Sequence, residues 1–550
     1  QGSEIYGGLA GTWDYGPLGV ALSNNIKNLW WKKFVTDRED MYGVNASILM
    51  NQKVWQATGH VSGFSDPLVE CNNCKNKFRA DQLIDDKTKF EKYLKNIQGL
   101  FKEFFDEENI TELSGMFDSI ASARFGHLLE KYGYSNREKK KLSKFFINSY
   151  KGMIAGQDVD VDVDHRTGQI IGAGSSIDED VNKFIHESKN FYEITLSIYL
   201  DMEVECPKCK KLTWSEPRQF NMMFKTFIGP TSHEEYQPEE ADWDSDGQGS
   251  GHVVGVIPER HLIQYSPESI SYLRPETAQG MFVNYKNIVD SFHPKLPFGM
   301  AQIGKAFRNE IAPRDFTFRS REFEQMEIEY LVRAGDWKES FEHFRSEMID
   351  WIKEIGLKKE HVYEHEIPDE ERAFYSKRTI DFEFEFPFGR NELYGLAYRT
   401  DYDLSRHSKE SGVDLIYMDE ETKEKFTPHC IEPSLGVDRT VLAVLCDAYT
   451  EDELGGEKRI YLKFTHNLAP VKIAVFPLLK NKPQLVEKAR EVYKNLKKEF
   501  GNVSFDDNGN IGKRYRRQDE IGTPFCVTVD FDTLEKDDTV TVRNRDNGEQ

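Results

Sequence analysis

The strongest pattern of hydrophobic and polar positions lies in residues 298–331. A strand-like run ends at residues 308–310, a polar connection containing a proline covers 311–321, and a second alternating run covers 322–331. Two strand-like runs around a turn predict an antiparallel hairpin. Because side chains two residues apart share a face of a strand, each strand of this hairpin should present alternate residues to a common side.

Charge is concentrated on this predicted hairpin. Arginine is the side chain suited to gripping a phosphate group, and carboxylates suit an ammonium group or a metal ion. The mixture indicates a site for a zwitterion beside a polyphosphate, and a salt-bridged surface hairpin is the alternative. The arginines and glutamates are Arg308, Arg314, Arg319, Arg321, Glu310, Glu322, Glu324 and Glu327.

Two helices are predicted from apolar spacing. Pro17 stands where a helix can begin, and apolar residues then recur with helical period as far as Trp30. Residues 336–357 have the pattern of a second amphipathic helix.

Residues 429–445 predict a strand that runs directly into a helix. Gly436 allows close backbone approach at the junction, and Arg439 falls in the first helical turn. The start of a helix attracts phosphate through its free amides and its dipole. Since an arginine in that position otherwise opposes the dipole, Arg439 is predicted to bind an anion.

Strands and helices alternate from about residue 467 onwards, which predicts a small α/β domain. Residues 530–546 within it alternate like a strand. The basic run at 513–517, KRYRR, is either a local contact for nucleic acid or a solvated helix start.

Length and composition are those of a soluble globular enzyme. A chain of 550 residues predicts two to four domains. No apolar run approaches the roughly 18 residues needed to span a bilayer, and no signal peptide is visible. The sequence starts at Gln1 inside a patterned region, so we interpret it as a fragment. The net charge of −22 argues against a long basic surface for nucleic acid.

Four of the seven cysteines form two C-x-x-C pairs, which predict a structural zinc site. Four thiolates around one ion leave no open position for water. Because the pairs are far apart in the sequence, two unrelated pairs are the alternative. Seven cysteines suit a reducing compartment, so we expect a cytoplasmic protein. The predicted ligands are Cys71, Cys74, Cys206 and Cys209.

The segment between the pairs is rich in lysine, glutamate and phenylalanine and has a mostly helical pattern. Residues 139–141, three lysines, are its best candidate for a nucleic-acid backbone contact. Residues 231–251 are acidic and glycine-rich, which predicts a mobile loop, to which we assign no role.

Three stretches carry a family resemblance. FRNE at 307–310 followed by FRSREFEQMEIEY at 318–330 resembles motif 2 of class II aminoacyl-tRNA synthetases, and its return strand resembles the homodimeric glycyl-tRNA synthetases. Residues 6–35 are similar to motif 1, and HCIEPSLGVDRTVLAVL at 429–445 is similar to motif 3. The motifs occur in the family's order, and the resemblance is weakest at 81–205 and 230–260.

The resemblance implies an α+β fold, with a class II antiparallel sheet flanked by helices. It implies a catalytic domain in two parts, 1–80 and 206–465, a mainly helical insertion at 81–205, and an anticodon-binding α/β domain at 466–550. The implied reaction joins glycine to tRNA(Gly) through a glycyl-adenylate made from ATP. A homodimer through the motif 1 region is also implied, with Trp30, Trp31 and Phe34 suited to its interface.

The resemblance also implies residue roles in ATP binding. Arg308 contacts the α-phosphate, Glu310 the adenine amino group, and Arg439 the far phosphate; these three form the implied catalytic set. Phe323 stacks on adenine, and Glu392 carries Mg²⁺ with ATP, with Glu432 as a further candidate. The full implied set is Arg308, Asn309, Glu310, Phe318, Arg319, Ser320, Arg321, Glu322, Phe323, Glu392, Leu393, Gly436, Val437, Asp438 and Arg439.

Glycine has no side chain, so an acidic pocket must hold its ammonium group and leave no room for a Cβ. Excluding an extra methyl by a rigid wall requires no editing domain, and none is expected. The implied glycine-binding set is Arg79, Glu276, Phe323, Glu324, Gln325, Met326, Glu327, Arg399, Glu432, Pro433, Ser434, Leu435 and Gly436.

Two other classes of function are weighed against this one. A non-catalytic relative used as a nucleic-acid-binding subunit should have lost its phosphate-binding arginines, yet Arg308 and Arg439 are both present. A synthetase of the same subclass for serine, threonine or proline is disfavoured by the wording FEQMEIEY and RPETAQG and by three carboxylates in the pocket.

Overall fold

The computed structural model describes most of the chain, and the predicted contact at 139–141 and the predicted loop at 231–251 lie outside the described residues. The chain forms two compact units, Gln1–Gly63 with Met223–Gln550 and Phe64–Met222. The described residues are 1–84, 87–107, 129, 142, 195–200, 203–228, 269–369, 372–373, 375–536 and 539–550.

The strands are numbered in chain order over the described residues. They are β1 Met41–Gly43, β2 Ser65–Glu70, β3 Lys77–Arg79, β4 Arg218–Asn221, β5 Phe224–Phe227, β6 Ile270–Leu273, β7 Phe298–Phe307, β8 Glu322–Val332, β9 Val362–Glu366, β10 Arg378–Phe386, β11 Gly389–Thr400, β12 Tyr417–Met418, β13 Lys425–Phe426, β14 His429–Gly436, β15 Tyr449–Leu454, β16 Glu457–Leu462, β17 Ile473–Pro477, β18 Val503–Phe505, β19 Phe525–Val529 and β20 Thr541–Asn544.

The helices are numbered in the same way. They are α1 Pro17–Trp31, α2 Gln52–Ala57, α3 His60–Gly63, α4 Lys87–Glu107, α5 Ala278–Phe282, α6 Tyr285–Phe292, α7 Trp337–Glu354, α8 Tyr402–Ser411, α9 Val437–Ala448, α10 Pro483–Phe500, α11 Ile511–Glu520 and α12 Phe531–Glu535. In the described part of the chain, none of them combines the length and the apolar character needed to cross a bilayer.

A seven-stranded sheet is the centre of the larger unit. Its order is β1-β7-β8-β14-β11-β10-β9, and its strands are antiparallel except for the parallel pair β1 and β7. One face packs with α1, α7 and α9 around a large hydrophobic core. The α5 and α6 helices cover one end of the opposite face. This confirms the expected α+β fold with an antiparallel sheet flanked by helices.

The predicted hairpin is confirmed as β7 and β8. Gln302 pairs with Glu327 and Gly304 with Gln325, so these residues share a face. Met326, between the two β8 residues, is fully buried in the core on the other side. The alternation therefore separates polar residues for a site from apolar residues for the core.

The α1 helix begins at Pro17, as predicted. The prediction that the aromatic residues of motif 1 face a partner subunit is wrong for Trp30 in α1 and for Phe34 just after it, because both are 0% exposed within the chain's own core. Periodicity identifies the apolar face of a helix, but it does not show whether the same chain or a second chain covers that face.

The C-terminal region is the expected small α/β domain. Its sheet has the order β18-β17-β19-β20, with parallel pairs around β17 and an antiparallel edge at β20. The predicted strand at 530–546 is wrong in its first part, which forms α12. Asp530 and Thr533 make a reciprocal capping box, and this favours a helix start over an extended chain.

The basic run at 513–517 lies in α11 and is only partly a surface feature. The Arg514 side chain is 1% exposed, and it donates hydrogen bonds to the carbonyls of Pro477, Asp507 and Gly509. Lys513 on the same helix is exposed. One arginine of the run therefore joins the end of β17 to the loop before α11 and is not available to bind nucleic acid.

Candidate functional site

A cavity opens on the face of the large sheet, between the β7–β8 connection, β11, β14 and the start of α9. It brings together residues that are far apart in the sequence. Its lining consists of Arg308, Glu310, Thr317, Phe318, Arg319, Ser320, Phe323, Glu324, Gln325, Glu392, Leu393, Ser434, Gly436, Asp438 and Arg439.

Arg439 lies at one end of this cavity because β14 runs straight into α9. Its guanidinium donates to the carbonyls of Glu392 (3.0 Å) and Phe318 (3.4 Å) and lies 4.5 Å from the centre of the Phe318 ring. It is also 3.0 Å from the Glu392 carboxylate, and its charge lowers the pKa of that group. A fixed cation and an ionised acid thus stand side by side, an arrangement suited to a phosphate and its counter-ion.

Arg308 lies in the same cavity at the end of β7. Its Nε donates to the Pro275 carbonyl at 3.2 Å, and its guanidinium carbon lies 5.3 Å from the centre of the Phe323 ring. Glu310 is buried nearby, 3.5 Å from Arg319. An aromatic face, two guanidinium groups and a buried acid can accommodate a nucleotide.

Four residues predicted for ATP binding do not line the cavity. Arg321 donates to the carbonyls of Ala10 and Glu310, so it holds the connection between the two strands in place. Glu322 is exposed and pairs with Lys305 at 3.3 Å. The other two are Asn309 and Val437, of which Val437 belongs to the hydrophobic core.

Glu327 marks the acidic end of the site and is almost fully buried. Ser434 and Gln325, which both line the cavity, donate to its Oε1 at 2.7 Å each. The Thr277 amide donates to its Oε2 at 2.9 Å, and the Thr277 hydroxyl donates to the same oxygen. Two cavity-lining side chains therefore connect this carboxylate to the cavity that holds Arg308 and Arg439.

Arg399 is the buried cation among the acids. It donates to both oxygens of Asp403, at 2.8 and 2.9 Å, and to Glu432 at 2.7 Å. Burial and the neighbouring carboxylates of Glu327 and Glu276 raise the pKa of Glu432, whereas the Arg399 charge lowers it. The net effect is a pKa of about 8. The cluster contains more acids than cations, which suits the uptake of an ammonium group.

Glu276 stands immediately before α5 and is buried. It accepts a hydrogen bond from Gln279 at 3.0 Å and lies 3.4 Å from His60 Nε2 and 3.8 Å from Arg399. Burial raises the pKa of this carboxyl, but the charges of His60 and Arg399 outweigh it and hold the pKa well below its usual range. Glu276 is therefore an ionised acid in the pocket.

Within their own units, five further residues predicted to bind glycine have other partners or are buried. Met326 and Leu435 pack in the hydrophobic core on the other face of the sheet, and Pro433 is buried. Glu324 lines the cavity, and its side chain pairs with Lys27 at 2.9 Å. Arg79 belongs to the smaller unit, where its partners are Asp66 and Asp81 at 2.6 and 2.7 Å.

Glu392 and Glu432 cannot hold one metal ion between them. Glu432 pairs in register with Ala397, which is five residues from Glu392 along β11. At about 3.3 Å per residue the two backbones are roughly 16 Å apart, beyond the combined reach of two glutamates to a shared ion. Glu392 belongs with Arg439, and Glu432 belongs with Arg399.

Several residues of the acidic pocket were missed from the sequence. Asp403 follows Arg399 by four residues at the start of α8, a spacing that could have indicated the pair. Glu329 shares the face of Glu327, which the alternation could have revealed. Gln279 follows Glu276 by three residues, a spacing that could have indicated their contact. His60 has no local signal, because the fold brings it to Glu276 from another helix.

The four paired cysteines come together in the smaller unit. Their sulfur atoms all lie within 4.8 Å of one another, and the distances are 3.5 Å from Cys71 to Cys209 and 3.7 Å from Cys74 to Cys206. A tetrahedral ion with sulfur ligands at about 2.3 Å requires sulfur separations of about 3.8 Å. No disulfide joins them, so the cluster fits a metal ion.

Two family models match the chain. The tRNA synthetase class II core domain (G, H, P, S and T) matches residues 265–448, which include both strands of the hairpin and α9. The anticodon binding domain matches residues 472–550. A solved structure, Giardia lamblia prolyl-tRNA synthetase in complex with prolyl-adenylate, aligns over 51% of this chain and 55% of that one, with a TM-score of 0.41 and 18% identity.

Full-length curated relatives are considerably more similar. A glycine–tRNA ligase of Caldanaerobacter subterraneus subsp. tengcongensis is 42% identical over 549 residues, covering 100% of this chain and 91% of the relative. A glycine–tRNA ligase of Clostridium acetobutylicum is 43% identical over 550 residues, covering 100% and 92%. With this identity sustained along its whole length, the chain belongs to the glycine–tRNA ligase family of class II aminoacyl-tRNA synthetases.

Proposed function

We propose that the chain joins glycine to the 3' end of tRNA(Gly) at the expense of ATP. The observation that carries the proposal is the connection between the two parts of the site. Arg308 and Arg439 line one cavity, and Glu327 accepts hydrogen bonds from Ser434 and Gln325 of that same cavity. A nucleotide and a small amine can therefore bind side by side, as the family's reaction requires.

In the first step the carboxylate of glycine attacks the α-phosphorus of ATP. A new oxygen–phosphorus bond forms, and the bond to pyrophosphate breaks. The attacking carboxylate is already ionised, so no general base is needed. The ribose hydroxyl at the 3' end of tRNA then takes the glycyl group from the adenylate, and AMP leaves. Catalysis of this kind depends on positioning and charge stabilisation.

The nucleotide is held by residues of the cavity. Phe323 offers a ring for adenine, and Arg308, which packs over that ring, reaches the α-phosphate. Glu310 accepts from the adenine amino group, and Arg439 binds the far phosphate. Arg319, beside Glu310, adds a second guanidinium for the phosphates.

Magnesium accompanies ATP in class II synthetases, and Glu392 is the acid that would hold it in this chain. The Arg439 charge keeps this carboxylate ionised. When bound, Mg²⁺ supplies positive charge that neutralises the polyphosphate.

The glycine ammonium group is bound by the acids around Arg399. Glu276, Glu327 and Glu432 are all buried, and the donors on Glu327 fix both of its oxygens. A rigid pocket of this kind excludes amino acids with a side chain by steric clash.

We infer that the catalytic domain comprises 1–80 and 206–465, that 81–205 is an insertion, and that 466–550 binds the anticodon. The anticodon binding domain match at 472–550 supports the last part. We also infer a homodimer through the motif 1 region and a cytoplasmic location. Leu18 and Val20 of α1 are exposed apolar residues that support a partner there, and seven free cysteines support a reducing compartment.

The four-cysteine cluster is proposed to hold a structural zinc ion. A complete set of four sulfur ligands leaves no position for a reacting water, so the ion would stabilise the smaller unit and take no part in the chemistry.

Pyrophosphate exchange with each of the twenty amino acids tests the proposed function. Glycine alone should support rapid exchange, and tRNA(Gly) should then accept glycine from the enzyme. Exchange with serine, threonine or proline in place of glycine would refute the assignment. Absence of exchange with every amino acid, with ATP binding retained, would favour a non-catalytic relative.

A further inference from the structure

Glu329 is a buried acid of the pocket that the proposed chemistry does not use. It follows Glu327 by two residues on β8, so the two side chains share a face of the sheet. Its side chain is 0% exposed. Its partner on β7 is Met300, so this side of it is apolar. A carboxyl group in such a place needs a physical reason to be there.

The register of β8 and β14 supplies the reason. Tyr330 pairs with Ile431 and Glu327 pairs with Ser434. Antiparallel pairing advances by one residue in each strand, so Glu432 stands opposite Glu329. Opposed side chains of a sheet have Cβ atoms about 4.5–5.5 Å apart. Two ionised carboxylates at that distance, both removed from water, would repel strongly, so the pair must retain a proton.

The hydrogen bonds indicate which of the two acids carries that proton. Arg399 donates to Glu432 Oε1 at 2.7 Å, which favours the ionised form of Glu432. No cation forms an ion pair with Glu329 anywhere in the described ranges. Its Oε2 accepts a hydrogen bond from the Cys430 thiol at 3.0 Å, and its Oε1 accepts none from a described donor, so a proton on Oε1 would compete with no donor. Burial, together with the Glu432 charge, raises the pKa of Glu329 well above its usual range.

We propose that Glu329 is a positioning residue of the glycine site, which shares one proton with the opposed Glu432 and so holds that carboxylate towards Arg399 and the bound amine. The proton resides on Glu329 Oε1. The inference rests on the proposed function in taking Glu432 as part of the glycine site. The other charged and titratable groups that face the pair are Cys430, Glu327, Arg399, Glu276 and Asp403.

Two substitutions separate a shared proton from simple packing. Glu329→Gln retains a donor towards Glu432, so the KM for glycine in pyrophosphate exchange at pH 7 should change by less than about threefold. Glu329→Leu fills similar space without a donor, and it should raise this KM about tenfold with kcat changed much less. Equal effects of the two substitutions would overturn the proposal.

The pH profile provides a readout that packing alone would not change. Raising the pH from 7 to 9 favours loss of the proton from the wild-type pair, so the two carboxylates repel each other more and the KM for glycine rises. The amide of Glu329→Gln cannot lose its donor in this range. The glycine ammonium titrates identically for both enzymes, so the ratio of the variant's KM to that of the wild type should fall about threefold or more. A ratio independent of pH would overturn the shared proton, and this readout does not require the leucine variant to fold.

Glu432→Gln tests separately whether Glu432 belongs to the glycine site and whether the pair shares a proton. If it raises the KM for glycine while the pH ratio for Glu329→Gln stays constant, the glycine site stands and the shared proton is refuted. If it leaves the KM for glycine unchanged, Glu432 is not part of the glycine site, and both the assignment and the positioning role fail. A raised KM together with a falling ratio supports both.

Discussion

The Ser434 hydroxyl donates to Glu327 Oε1 over 2.7 Å, while the Ser434 side chain also lines the cavity that holds Arg308 and Arg439. This hydrogen bond connects the acidic pocket to the phosphate-binding cavity. It follows from the register, since Ser434 and Glu327 are paired residues of β14 and β8. The arrangement predicts that a change at Glu327 affects the amine and leaves the nucleotide almost untouched.

Glu327→Gln should weaken glycine activation. The substitution keeps the shape of the side chain and removes the charge that attracts the ammonium group. Loss of one charged hydrogen bond of about 1.5–3 kcal/mol should raise the KM for glycine roughly 10- to 150-fold. Pyrophosphate exchange at varied glycine, with ATP affinity from equilibrium binding, checks both parts. Glu366→Gln on the exposed edge strand β9 is the matched control. Unaltered glycine dependence would refute the role of Glu327.

Arg439→Lys should impair ATP binding even though the charge is kept. The guanidinium contacts two carbonyls, a ring and a carboxylate at once, and a lysine ammonium group cannot reproduce that geometry. The KM for ATP should rise about tenfold or more, with the KM for glycine changed far less. Arg345→Lys, on the surface of α7 with partners Glu342 and Glu364, is the control. Equal ATP dependence in the two variants would contradict the prediction.

Local patterns determined which parts of this fold could be predicted. The β7–β8 hairpin and the junction of β14 with α9 follow from alternation and helical period, which depend only on neighbouring residues. The same alternation, applied within the motifs, would have assigned Met326 and Leu435 to the core. The resemblance implies both residues for the site because it covers whole stretches of sequence and does not distinguish the two faces of a strand.

Long-range contacts explain the rest. His60 reaches Glu276 from another helix, and no local pattern records that approach. The helical period correctly predicts an apolar face for α1, but Trp30 in α1 and Phe34 just after it pack in the chain's own core. In the same way the basic run did not reveal that Arg514 is buried, because its long-range partner is the Pro477 carbonyl at the end of β17.

Arg514→Met should destabilise the C-terminal domain. The buried guanidinium donates to the carbonyls of Pro477, Asp507 and Gly509, and methionine would leave all three without this donor. Loss of these hydrogen bonds should lower the free energy of unfolding of the domain by about 3–4 kcal/mol. Urea denaturation followed by circular dichroism measures this change. Lys513→Met, exposed on the same helix, should stay within about 0.5 kcal/mol. Equal stability of the two variants would show that Arg514 is not structural.

Cys74→Ser should abolish metal binding by the smaller unit. Three sulfur ligands and a hydroxyl hold zinc far less tightly than four thiolates. Elemental analysis of purified protein should find about one zinc ion per chain in the wild type and much less in the variant. Limited proteolysis should then cut the variant within 64–222 faster than the wild type. Cys446→Ser, a cysteine outside the cluster, should retain the ion. Zinc-free wild-type protein that resists proteolysis equally well would contradict a structural ion.

Glu432→Gln should flatten the pH dependence of stability. The pKa of this carboxyl, which titrates together with the opposed Glu329, is raised from its usual value near 4.5 to about 8, so the pair retains a proton in this range. Between these values the folded protein binds more protons than the unfolded chain, so the wild-type free energy of unfolding falls as pH rises through this range. Glutamine does not titrate, and it removes the negative charge that helps Glu329 to keep its proton, so this contribution becomes smaller. The lost hydrogen bond to Arg399 lowers the free energy of unfolding by a roughly constant amount at every pH, so the slope of stability against pH is the diagnostic quantity.

Melting temperatures from pH 5 to pH 8.5 should decline less steeply for Glu432→Gln than for wild type. Glu385→Gln, exposed on β10, is the control and should follow the wild type. Parallel curves for Glu432→Gln and wild type would show that Glu432 titrates normally in the folded protein.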